Sequence, residues 1–333
     1  MEDKTSRAEF TVRTDLALEE RERRPDDGEK ISGVTLREWQ GRNGRIRLTE
    51  VKILDGRGER AMGKPRGTYL TLEADQLAGK DEDYHREVSA ELAGQLRERI
   101  SDMLGTEQNN LMRVNILVVG LGNVQVTADA LGPKTVGQLQ VTRHLDGRYG
   151  NQFCCESVPR ISALSPGVMA QTGMETAEIL RGVIRETAPD LLIVIDALAA
   201  RSIRRLGTTI QLTDTGIHPG SGVGNHRHSL TKESLGIPVL AIGVPTVVGA
   251  AAIVHDTVDA LAEALCADTK LRKMGQYVRA MKEADRYELI RELLEPEFGS
   301  FYVTPPNIDE LIGYLSFTIS EGIHGAVFGS REI

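Results

Sequence analysis

A chain of 333 residues with 40% hydrophobic content can bury a sizeable core, in one large α/β domain or two modest ones. Aromatic residues make up only 4%, so apolar packing rests on Leu, Ile, Val and Ala, the usual filling of parallel sheets. A formal charge of −8 and a pI near 5.5 argue against a whole-protein nucleic-acid surface.

The N-terminus carries no apolar signal core. The longest apolar stretch, from Ile237 to Val254, is interrupted by Pro238, Gly243, Pro245 and Gly249, and so predicts strand, loop and helix start instead of a membrane span. Cys154, Cys155 and Cys266 provide neither a disulfide framework nor a C-x-x-C spacing, which points to a reducing interior. A soluble cytoplasmic protein is expected.

In chain order, the nearly wholly charged run from Glu19 to Lys30, broken by Pro25 and Gly28, reads as a solvated, mobile surface segment. The residues before it then form an arm beyond a hinge, open to proteolysis. Strand patterns follow at 46–54 and 67–72, joined through Gly56, Gly58, Gly63, Pro65 and Gly67. Val88, Leu92, Leu96, Ile100 and Leu104 recur every four residues and predict a helix over about 84–104. A strand at 114–119 leads into Gly120-Leu121-Gly122-Asn123 and on to Asp129-Ala130-Leu131-Gly132-Pro133.

Thr172-x-x-Glu175 is a capping-box pattern for a helix ending before Pro189. A strand at 191–195 closes on Asp196, and a run at 208–212 precedes a Gly-rich loop. A strand at 238–242 and a helix from near Ala250, with Ile253, Val258, Leu261 and Leu265, form another α/β step. Asn307-x-x-Glu310 marks the start of a last helix carrying Leu311, Leu315 and Ile319. The alternation predicts a three-layer α/β/α sandwich with a mostly parallel sheet, without internal repeats and with no linker after residue 31.

Asp129 and Asp196 each follow an apolar run that reads as a buried strand. Ligands of open α/β sheets bind outside the carboxyl ends of the strands, so two carboxylates there could meet as an acid/base pair or as half of a metal site. Aspartate is equally common as a helix cap or loop hydrogen-bonding residue, and spacing alone leaves both roles open.

Gly120-x-Gly122 departs from the dinucleotide fingerprint, because Gln125 stands where its third glycine belongs. The glycines of 216–224 lack a Gly-Lys-Ser/Thr ending, and shape a loop that lets backbone approach a ligand or another subunit. His218, His226 and His228 cluster there, as metal ligands or as part of a polar surface with Arg227. Cys154-Cys155 has no assigned base, and no Gly-x-Ser-x-Gly elbow occurs.

Gly120-Leu121-Gly122-Asn123 through Asp129-Ala130-Leu131-Gly132-Pro133, followed by Ile195-Asp196-Ala197-Leu198-Ala199-Ala200-Arg201, resembles the germination protease family of spore-forming bacteria. Asp214-Thr215-Gly216-Ile217-His218-Pro219-Gly220-Ser221-Gly222-Val223-Gly224-Asn225 and the blocks Gly236-Ile237-Pro238-Val239 and Gly243-Val244-Pro245-Thr246-Val247-Val248 extend the resemblance. It runs from about Phe10 to Leu265 and more loosely beyond. A more distant likeness links Gly-x-Gly-Asn…Asp with the hydrogenase-maturation endopeptidases, which share the α/β/α sandwich.

The resemblance implies an endopeptidase made as a self-processing zymogen and assembled as a homotetramer in the cytoplasm of the forespore and spore core. Its substrates would be small acid-soluble spore proteins, with no direct nucleic-acid or membrane binding. Phe10-Thr11-Val12-Arg13-Thr14-Asp15-Leu16-Ala17 looks like the family's processing region, with a cut expected between Leu16 and Ala17. Residues 1–16 would be the prosegment and 17–333 a single peptidase domain. Catalytic roles are carried over to Asp129 and Asp196, and Gly122, Asn123 and His218 are expected as substrate or loop contacts. The expected mechanism is aspartic, without metal or cofactor. The alternative is a metal-dependent maturation-type peptidase with Asp129, Asp196 and a loop histidine such as His218 as ligands.

Overall fold

A computed structural model describes residues 14–22, 31–107, 111, 113–145, 159–218, 228–281, 283–298 and 301–329. Its centre is a nine-stranded sheet ordered β1-β2-β3-β7-β8-β6-β4-β5, with β9 paired to β8. The strands are β1 (Val34–Gln40), β2 (Arg47–Ile53), β3 (Gly67–Glu73), β4 (Asn115–Gly120), β5 (Arg160–Leu164), β6 (Leu191–Ala200), β7 (Thr209–Thr213), β8 (Val239–Gly249) and β9 (Tyr302–Val303). The helices are α1 (Ala17–Glu22), α2 (Gly56–Met62), α3 (Glu82–Leu104), α4 (Leu131–Val136), α5 (Met169–Thr172), α6 (Thr176–Thr187), α7 (Lys232–Leu235), α8 (Ala250–Ala267), α9 (Arg272–Ala280), α10 (Glu283–Phe298) and α11 (Ile308–Phe328).

Strands β8, β6, β4 and β5 run parallel, as the strand–helix alternation predicts. Strands β1, β2, β3, β7 and β8 pair antiparallel, so the sheet is mixed, and its parallel half holds the candidate site.

Period-two alternation builds the layers. Ile116, Val118, Ile193 and Ile195 pack into one buried cluster with Val88, Leu92, Leu96 and Ile100 of α3 and Leu315 and Ile319 of α11. Their neighbours Leu117, Val119, Leu192 and Val194 face the opposite way, against Ala177 and Leu180 of α6 and Leu235 of α7. Helices on both faces make the α/β/α sandwich. The four-residue spacing on α3 meets the small residues Gly322 and Gly325 of α11, where an added Cβ would stand 2.7 Å from Leu92 and 2.9 Å from Ala93.

Several local expectations need correction. The first turn of α6 begins at Thr176, not near Thr172; Thr172 ends the short α5, and the backbone N–H of Glu175 donates to Glu178 at 3.0 Å. Asn307 does occupy the position before α11, but its side chain makes no capping bond. The Gly-punctuated link at 54–66 contains α2, nucleated by Asp55, whose side chain accepts the N–H groups of Arg57 and Gly58. Strand β1 and helices α9 and α10 were not among the expected elements, although the apolar residues of α9 do gather on one helical face. The charged run is not solvated throughout: Glu19 is 2% exposed, because burial of α1 brings its carboxylate onto two backbone N–H groups. Residues 23–30 of that run lie outside the described residues.

Candidate active site

The exits of β4 and β6 set the geometry. Gly120 pairs with Ile195, and the N–H of Leu121 donates to the Ile195 carbonyl at 2.8 Å, so both strands reach their carboxyl ends side by side. Asp196 is the next residue of β6; it is 7% exposed and its Oδ1 accepts the Ala197 N–H at 3.0 Å.

Asp129 closes a single 3₁₀ turn, Thr127–Asp129, that packs against β6, β8, α4 and α11. Its Oδ2 accepts the Asn123 N–H at 2.7 Å. Backbone contacts bring this turn in close: a Cβ on Gly122, whose φ is +112°, would stand 1.9 Å from the Asp129 carbonyl oxygen. A Cβ on Gly120 would likewise stand 2.2 Å from the Gly132 carbonyl oxygen. The glycines that resemble a nucleotide motif are therefore close-approach residues. Asn123 Oδ1 accepts from Gln125 N and Gln171 Nε2, each at 3.0 Å.

Beyond Ile195 the sheet changes. β4 stops at Gly120, but β6 continues to Ala200, and residues 14–17 occupy the adjoining stretch. Asp15 N donates to the Ala199 carbonyl at 3.1 Å, and Ala199 N donates back to Asp15 Oδ2 at 3.0 Å. Leu16 is fully buried among Leu198, Ala200, Leu206, Val248 and Ala252. Ala17 is fully buried beside Val51, Ile53, Met62 and Tyr69. The expected cut site is thus docked, not displayed on a loop.

A cavity of about 70 Å³ opens alongside, lined by Asp15, Lys64, Asp196, Gln211, Thr213 and His218, among others. Asp196 and His218 are brought together here. Asp129, Gly122 and Asn123 belong to the neighbouring β4 exit and do not line this cavity. His218 stands at the mouth, fixed by the mutual backbone bonds of Ile217 and Leu230 at 3.0 and 2.8 Å. Gly216 permits that closure, since a Cβ there would stand 2.1 Å from the Leu230 carbonyl oxygen. His228 is exposed, and His226, Cys154 and Cys155 lie outside the described residues.

Partial desolvation lowers the pKa of His218, helped by the nearby Lys64 ammonium and opposed by Asp15. Burial lowers the pKa of Lys64, with the carboxylates of Asp15, Glu20 and Glu19 opposing. Burial pushes the Tyr69 phenol up to about 12, so it stays a neutral donor, to the Pro65 carbonyl at 2.9 Å. Among the described residues no group of three His, Cys, Asp or Glu side chains is placed to hold a metal ion, and no helix is long and apolar enough to cross a membrane.

Sequence reasoning missed Lys64, Gln211 and Thr213. One signal was present: Gln211 and Thr213 alternate with Ile210 and Leu212 in a strand that is buried throughout, and polar residues on a buried face call for partners.

The sequence profile of the germination protease family matches residues 11–276. A germination protease of Caldanaerobacter subterraneus subsp. tengcongensis is 49% identical over 317 residues, which span 95% of this chain and 94% of that protein. A germination protease of Clostridium tetani is 40% identical over 331 residues, spanning 97% and 98%. Among solved structures, the NiFe hydrogenase maturation protease of Thermococcus kodakarensis aligns with 17% identity and a TM-score of 0.29, over 63% of this chain and 93% of its own. From the profile match and these full-length relatives, the chain belongs to the germination protease family.

Proposed function

We propose that the chain is an endopeptidase made as a self-processing precursor, which removes its own N-terminal arm and then degrades small acid-soluble spore proteins. The observation that carries this reading is the seating of residues 14–17 against the Asp196 cavity, where the Asp15 N–H donates to the Ala199 carbonyl, the Asp15 carboxylate accepts the Ala199 N–H, and Leu16 is fully buried. An arm bound in this way is a substrate already delivered, with the entropy of association removed.

Chemistry would come from Asp129 and Asp196. Carboxylates held close cannot both ionise cheaply, so one keeps its proton while the other takes a proton from the attacking water. Asp196 lies in β6 just beyond the end of β4, and Asp129 closes the turn that follows β4 and packs against β6, which supports their acting on one chain laid across those ends. The expected cut is at Leu16–Ala17. The side-chain donors of the pocket converge one residue earlier, on the Asp15 carbonyl, which supports Asp15–Leu16 as the bond attacked.

Assembly into a homotetramer fits the exposed apolar side chains of α8 to α10, including Leu261, Met274, Tyr277 and Leu293, which a partner copy would cover. Action in the forespore and spore core follows from the substrate class.

The test uses purified full-length chain. Asp129→Asn and Asp196→Asn are expected to fold, keep the arm and fail to cut either themselves or an acid-soluble spore protein, while the wild type yields a new N-terminus at Leu16 or Ala17 by sequencing. Normal processing by either folded variant rejects the acid–base assignment. Loss of wild-type turnover on chelation, restored by stoichiometric metal, replaces it with metal-assisted hydrolysis.

A further inference from the structure

Lys64 lies in Gly63-Lys64-Pro65, between the left-handed glycine that ends α2 and the start of β3. Its Nζ donates to the Asp15 carbonyl at 3.0 Å and to the Thr14 carbonyl at 3.4 Å. Gln211, buried in β7, donates through Nε2 to the same Asp15 oxygen at 3.2 Å. Its Oε1 accepts the Ala17 N–H at 2.8 Å, so one side chain grips the backbone on both sides of Leu16.

The arm does not need this arrangement to stay docked. Asp15 and Ala199 already exchange two bonds, and Leu16 is fully buried. The carboxylates of Asp15, Glu20 and Glu19 offset part of the cost of burying the Lys64 ammonium, and the two neutral carbonyls that it contacts return little more. An oxygen that becomes negative during reaction is a far better partner for a cation and an amide aimed at it beforehand.

We propose that Lys64 and Gln211 are the oxyanion-binding pair of this peptidase, receiving the carbonyl oxygen of whichever residue takes the place of Asp15, in the chain's own arm and in substrates alike. This rests on the peptidase reading above. As water adds to the carbonyl carbon, the C=O π pair moves onto oxygen, where the ammonium and amide hold the charge, and a carboxylate takes the water proton. Collapse re-forms the C=O bond, breaks the C–N bond, and the nitrogen leaves as an amine carrying that proton. Water is the only co-reactant.

The experiment compares self-processing rates of full-length wild type, Lys64→Met, Lys64→Arg and Gln211→Leu, with docking of residues 14–22 followed separately by hydrogen exchange. Losing one such donor should slow processing about 100- to 1,000-fold while protection of 14–22 persists, and Arg should recover to within about tenfold of wild type. A Met variant that processes within about threefold of wild type overturns the proposal. So does a rate that falls only in step with lost protection, because Lys64 is then a tether. Asp196→Asn and the wild type run in parallel separate the two levels: a wild type that never processes itself sinks the peptidase reading, and an Asp196→Asn variant that processes normally sinks the role given to Asp196, whichever way the Lys64 variants behave.

Discussion

Truncating Leu16 to Ala probes the docked arm directly. Leu16 is 0% exposed and lies against Leu198, Ala200, Leu206, Val248 and Ala252, of which the alanines cannot move in to fill a void. Losing its outer three carbons forfeits about 2.4 kcal/mol at about 0.8 kcal/mol for each, and the residual cavity raises the cost to about 3–4 kcal/mol. A change of that size opens the segment about 100- to 700-fold more often, at about 1.4 kcal/mol per tenfold. The assay is hydrogen exchange of residues 14–22 by mass spectrometry, on chain whose intact mass shows the arm still attached. Helix α3, packed on the other face of the sheet, serves as the control and should be unchanged. If residues 14–22 of the wild type exchange like a free peptide, or if Leu16→Ala leaves their protection unaltered, the docked segment is not held as described.

Gly122→Ala forces a Cβ to 1.9 Å from the Asp129 carbonyl oxygen at a φ of +112°, so the Asp129 turn must shift. Backbone strain and overpacking together should cost about 2–4 kcal/mol in urea unfolding, with processing lost; wild-type stability and rate would show that the close approach is absent. Glu19 offers a pH test: burial raises its pKa above 4.5, against the bonds from Thr14, Arg201 and Ser202 and the Arg205 charge. The folded chain then holds that proton more tightly than the unfolded chain. Its contribution to stability is fully present below pH 4.5 and is lost as pH rises through the raised value. Glu19→Gln should flatten urea midpoints across that window, and an unchanged slope would assign the pH dependence elsewhere.

Much of the parallel half was legible because its signals are local. Ile116 to Val119 and Leu191 to Ile195 are apolar without interruption, as strands covered on both faces must be, and four-residue spacing marked α3. Asp196 could be placed at the end of its apolar run for the same reason, whereas Asp129 lies in the turn that follows its strand. Strand β1 was not legible: its burial does not alternate, since an edge strand with most residues exposed carries no face to encode. The charged run misled, because a carboxylate such as Glu19 is buried only when backbone donors some 180 residues away in sequence are brought to it.

By itself, then, the amino-acid order determined the strands of the parallel half and the long helices packed on them, the two carboxylates that follow β4 and end the apolar run of β6, and which family the chain resembles. Each of these is written in neighbouring residues. Only the folded chain decided that Lys64, Gln211, Asp196 and Asp15 meet at one cavity, and that Leu16 is sealed in rather than displayed. Those residues come from α2's exit, β7, β6 and the arm, and no periodicity records how far β6 outruns β4. That length of β6 stays paired to β8 but has lost its β4 neighbour, which is a property of the assembled sheet, and the arm docks beside it.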